Sequence, residues 1–98
     1  MTDSQNSQKT VFVAGGSKGI GAGIVHALAA DGFDVSYSYR SSDDEASQLA
    51  ESLRQQYENQ RFQHFRADLG DREQVNELAE TVAGTENLYG LVYNAGGS

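Results

Sequence analysis

The chain has 98 residues, with fourteen acidic side chains against seven basic ones and a formal net charge of -7 at pH 7. That length allows one domain with a modest core and excludes a second. The negative balance argues against nucleic acid or an anionic membrane as the main partner, and the absence of cysteine excludes a disulfide frame, a thiol nucleophile and a cysteine metal site.

The opening MTDSQNSQ lacks the basic start and apolar core of a signal peptide, and no apolar run approaches membrane-spanning length, so a cytoplasmic location is expected. Residues 1–9 read as a flexible polar tail. TVFVA (10–14) is a β-branched and aromatic run of the kind that forms a strand buried on both faces. It runs into the glycine cluster AGGSKGIG (14–21). From Gly19, the recurrence of Ile20, Ile24 and Leu28 with alanines between them predicts a helix that lays this apolar stripe on a sheet and ends near Gly32.

DVSYSY (34–39) puts Val35, Tyr37 and Tyr39 on one side of an extended chain and Ser36 and Ser38 on the other, a second strand. Ser42 and Glu45 have capping-box spacing, and Ala46, Leu49, Leu53 and Tyr57 continue a second helix as far as Asn59. RFQHFRA (61–67) is more polar and suits a sheet edge, where charges discourage unwanted pairing. Asp71 caps a third helix carrying Val75, Leu78 and Val82 and closed by Gly84, and LYGLVY (88–93) makes a fourth strand before NAGGS. Strands alternating with helices of this length require crossover connections, which predicts an α/β fold: a parallel sheet with right-handed crossovers and helices on both faces.

A glycine loop between a strand and a helix start exposes unpaired backbone amides at the positive end of the helix dipole, where anions bind. Gly15, Gly19 and Gly21 allow the positive dihedrals and close approach that a β-carbon obstructs. Their spacing is G-x-x-x-G-x-G, which matches neither G-x-G-x-x-G nor the loop of nucleoside triphosphatases, and Lys18 preceding Gly19 rules out the latter. The cluster alone is also compatible with a tight turn that merely packs helix on strand. The histidines carry no metal reading: His26 is on the solvent side of its helix and His64 in the polar edge strand, and neither has a partner at ligand spacing.

Three stretches resemble the short-chain dehydrogenase/reductase family. AGGSKGIG is similar to its T-G-x-x-x-G-I-G, with Ala14 for threonine; ADL (67–69) is similar to the family's aspartate after the third strand; YNAG (93–96) is similar to its N-N-A-G, with Tyr93 for the first asparagine. The resemblance implies a Rossmann-like doubly wound parallel sheet in strand order 3-2-1-4, of which 10–98 would be the N-terminal part, four strands and three helices. It implies a dinucleotide across the carboxyl ends of the strands. Gly15, Gly19, Ile20 and Gly21 would frame its pyrophosphate, and Ser17 would add a hydroxyl near the adenosine ribose or its phosphate. Asp68 would accept from the adenine amino group with Leu69 beside the ring, while Asn94, Ala95 and Gly96 would admit the riboses and the Asn94 side chain would brace neighbouring strands.

At the end of the second strand, Tyr39 stands where the family's NAD-selecting acid would be, followed by Arg40, Ser41 and Ser42. Lys18 and Arg40 both fall where a 2′-phosphate would sit, so NADP(H) is expected over NAD(H). The family's catalytic Ser, Tyr-x-x-x-Lys pair and Asn lie beyond N-N-A-G, and none of the tyrosines 37, 39, 57, 89 and 93 has a lysine four positions on. The chain therefore looks like the amino-terminal half of a reductase acting on a carbonyl or 3-oxoacyl substrate, with no catalytic residue of its own and an open sheet edge prone to self-association. A non-catalytic nucleotide-binding module and a structural fragment are the other two readings.

Overall fold

The computed structural model describes residues 9–16, 18–41 and 43–94. In chain order the elements are β1 (Thr10–Ala14), α1 (Gly19–Ala30), β2 (Asp34–Tyr39), α2 (Asp43–Gln56), β3 (Phe62–Arg66), α3 (Arg72–Ala83) and β4 (Leu88–Tyr93). The strands form one parallel sheet in the order β3-β2-β1-β4, a Rossmann-like arrangement whose switch of direction falls beside β1. The tail and the capping role of Ser42 lie outside the described residues. No helix among the described residues is long and apolar enough to cross a membrane.

Period-two alternation sorts the sheet into two faces. On one, Val11, Val13, Val35, Tyr37 and Phe62 join Val25 and Ala29 of α1 and Ala46, Leu49, Ala50 and Leu53 of α2 in a continuous core. On the other, Phe12 pairs in register with Ser36, and Phe65 with Ser38. Both serines are buried. Their small side chains let the Phe12 and Phe65 rings stack across β2 with centroids 5.9 Å apart. The helix α3 runs from β3 at one edge to β4 at the other, and right-handed crossovers carry it over this second face.

The sheet-facing side of α1 differs from the expected stripe. Gly21, Val25 and Ala29 are its buried residues, Ile24 and Leu28 pack only partly against the core, and Ile20 is 76% exposed. Small residues win the inner line because the helix start must approach the glycine loop more closely than an isoleucine allows. The second helix ends at Gln56, short of Asn59, and Tyr57 still packs on the core. Beyond it, the Gln60 side-chain amide donates to the carbonyls of Ala29 and Phe33 at 3.0 and 2.7 Å, and Asp34 accepts from the Arg61 amide at 2.9 Å. These bonds tie the end of α1, the start of β2 and the start of β3 together below the sheet.

Candidate functional site

The carboxyl ends of β1, β2 and β4 converge on the glycine loop. Gly15 takes φ +86 and Gly19 φ +54, left-handed values at which a β-carbon is strained. Around Gly19 there is open space, so its requirement is conformational alone. At Gly15 a β-carbon would also collide with the Asn94 carbonyl oxygen, and at Gly21 it would collide with the Gly15 carbonyl and come within 2.9 Å of Asn94 Nδ2.

Two neighbouring strands hold the loop in place. From β2, the Ser38 carbonyl accepts from the amides of Gly15 and Gly16 at 3.2 and 2.8 Å, and the Ser38 hydroxyl accepts from Gly15 at 3.0 Å. From the end of β4, the Asn94 amide donates to the Ala14 carbonyl at 2.8 Å and its side-chain amide to the Gly15 carbonyl at 3.1 Å. The bracing expected of Asn94 is thus present. Ser38 and Gly16 are participants that the motif did not reveal. A β-carbon on Gly16 would lie 2.7 Å from that of Tyr37, so this glycine serves close packing of loop on strand, a requirement with no local sequence signature.

The first turn of α1 follows directly on this frame. Lys18 occupies the cap position with extended dihedrals and no side-chain capping bond, and the first turn holds no acidic residue. By contrast, α3 is capped by Asp71, whose carboxylate accepts from the amides of Glu73 and Gln74 at 2.9 and 3.4 Å. A helix start with no side-chain cap among the described residues, set behind a glycine loop, is the kind of place where anions bind.

Basic and acidic side chains share the rim of this site. Lys18 Nζ lies 3.8 Å from Glu45 Oε1, and Arg66 Nη1 lies 3.5 Å from Asp43 Oδ2. Arg40 and Ser41 directly follow β2 and are exposed, and Arg40 makes no ion pair with the described residues. Burial, then the neighbouring Asp43 carboxylate, raises the pKa of the Tyr39 hydroxyl. Beneath the rim Tyr37 is fully buried; its hydroxyl donates to the Ala46 carbonyl at 2.6 Å, and burial pushes its pKa up to about 12 against the opposing pull of the Arg54 guanidinium.

Asp68 and Leu69 follow β3 and are half-buried. One Asp68 carboxylate oxygen accepts from the Gly70 amide at 2.9 Å, while its backbone amide donates to Gln74 Oε1 at 2.7 Å. The loop is therefore rigidly tied to the first turn of α3, and the other carboxylate oxygen faces no donor among the described residues. Ser17, Ala95 and Gly96 lie outside the described residues. His26 is exposed, His64 stacks on Tyr37 and meets Tyr39 at a tilt, and no group of three or more potential metal ligands occurs among the described residues.

Comparison with known proteins agrees with this geometry. The family model described as short chain dehydrogenase matches residues 9–98. The 3-oxoacyl-(acyl-carrier-protein) reductase FabG of Aggregatibacter actinomycetemcomitans is 36% identical over 89 residues, covering 90% of this chain and 36% of that protein. A short-chain dehydrogenase/reductase from Serratia marcescens superposes with a TM-score of 0.78 at 36% identity, over 90% of this chain and 36% of that one. A blue fluorescent protein from a metagenomic library, solved in complex with NADPH, superposes with a TM-score of 0.67 at 41% identity, over 74% of this chain and 30% of that one. The chain thus spans about a third of the length of the relatives it matches.

Proposed function

Because the chain belongs to the short-chain dehydrogenase family, we propose that it is the cofactor-binding part of an oxidoreductase and that it takes NADP(H) in preference to NAD(H). The observation that carries this reading is the start of α1, without a side-chain cap among the described residues, behind a clamped glycine loop with Lys18 and Arg40 at its rim. Gly15, Gly19, Ile20 and Gly21 would meet the pyrophosphate, with Ser17 near the ribose. Lys18, Arg40 and Ser41 would meet the 2′-phosphate, which an arginine binds through paired hydrogen bonds and a lysine through charge. Asp68 and Leu69 would hold the adenine, and Asn94, Ala95 and Gly96 the riboses.

When bound, the nicotinamide supplies or accepts the hydride. The residues described above do the remaining work of binding and orientation, and none of them serves as general acid or base. A small carbonyl or alcohol is the substrate class, with a 3-oxoacyl group the first to test given the similarity to a reductase of that name. Neither nucleic acid nor membrane is a partner in this reading; self-association is.

Thermal-shift titration with NADPH and NADH tests it, beside Arg40→Glu, at fixed protein concentration and salt. NADPH should stabilise the chain more than NADH. Charge reversal should lower apparent NADPH affinity by about 10- to 100-fold, the range of a lost charge-assisted hydrogen bond, and leave NADH much less affected. A preference unchanged in Arg40→Glu overturns the reading.

A further inference from the structure

The two cations assigned to the 2′-phosphate are not in the same state. Arg40 has no ion-pair partner among the described residues, whereas Lys18 is engaged by Glu45, with their side chains 62% and 54% exposed. Glu45 sits in the first turn of α2 beside Asp43 and Asp44, where the positive end of the helix dipole favours acidic side chains. Asp43 pairs with Arg66 and Asp44 with no cation among the described residues, so Glu45 is the acid of this turn that competes for Lys18.

We infer that Glu45 is a specificity-determining residue that tempers the chain's preference for the phosphorylated cofactor. This rests on the reading that Lys18 meets the 2′-phosphate. For that contact to form, Lys18 must leave Glu45, and the arriving phosphate must settle near the Glu45 carboxylate. A cofactor with a free 2′-hydroxyl pays neither cost. Exposed pairs of this kind are weak, so Glu45 grades the preference rather than reversing it, and salt screens the effect.

The test uses 2′,5′-ADP and 5′-AMP, which differ only in the 2′-phosphate, titrated by calorimetry into the wild-type chain, Glu45→Gln, Lys18→Ala and the double variant. Glu45→Gln should bind 2′,5′-ADP about 2- to 5-fold more tightly and 5′-AMP unchanged. The gain should shrink at high salt and vanish in the Lys18→Ala background. Asp44→Asn, in the same helical turn but without a cation partner among the described residues, should show no gain, which separates this role from a general loss of negative charge. Equal gains for both nucleotides, no gain for either, or a gain that persists without Lys18 would overturn the inference while the cofactor reading stands. A wild-type chain with no preference for 2′,5′-ADP over 5′-AMP overturns the cofactor reading, and the inference with it.

Discussion

Gly19 and Gly21 stand two positions apart and are glycine for different reasons. Gly19 needs its left-handed φ and has free space around it, whereas Gly21 needs the absence of a β-carbon facing the Gly15 carbonyl and Asn94. Alanine at Gly19 should therefore cost about 1–2 kcal/mol in backbone conformation. Alanine at Gly21 forces the loop away from Asn94 and should cost about 1–3 kcal/mol, with a larger loss of NADPH response than at Gly19; melting curves with and without cofactor measure both. Tyr37 gives a pH-dependent prediction. Its hydroxyl titrates near 10 when unfolded and at about 12 when folded, so between those values the native chain keeps a proton that the unfolded chain loses. Stability from this group is constant below about pH 10 and falls by roughly 2–3 kcal/mol as pH rises toward 12. Tyr37→Phe should lack that decline, at a cost near neutral pH of about 1 kcal/mol for the bond to Ala46; denaturant melts across the alkaline range compare the two slopes.

Among the elements, α3 is the least secured. It has no buried residue, Val75 is 37% exposed, and a groove lined by Phe65, Ala67, Gln74 and Leu78 separates it from β3. Its order depends on the Asp71 cap and on the Gln74 bond to Asp68. Hydrogen exchange should find 72–83 opening well before β1, because local stability follows buried contact. Removal of the cap in Asp71→Ala should cost the helix about 1 kcal/mol and speed exchange through α3 by about fivefold, leaving β1 unchanged. Equal acceleration in β1 would mean that α3 and the sheet unfold as one unit. The weakness bears on the site, since Asp68 is held partly by that helix.

At the scale of the molecule, the two sheet edges are unlike. The strand β3 carries Gln63, His64 and Arg66, the mixture of polarity and charge that protects an edge. The strand β4 has no charged residue, pairs only with β1 among the described strands, and exposes Leu91 and Tyr93 at 57% and 66%. Unpaired backbone groups beside exposed apolar side chains promote association. Sedimentation of the chain should show concentration-dependent self-association, and Leu91→Lys should shift it toward monomer with little change in melting temperature. Association unaffected by this substitution would place the contact elsewhere.

The order of elements, the parallel sheet and the glycine loop were legible in the sequence because each rests on local information: β-branched runs, helical spacing, a cap and glycines at set intervals. The family motifs added the strand order, which the sheet reproduces. Tertiary structure alone decided which line of α1 faces the sheet, because Ile20, Ile24 and Leu28 satisfy helical periodicity as well as Gly21, Val25 and Ala29 do, and only the closeness of the loop selects the smaller set. It likewise decided that Ser38 clamps Gly15 from β2 and that Lys18 meets Glu45. Those contacts join residues far apart in the chain, and no local pattern encodes a distance that only the folded sheet makes short.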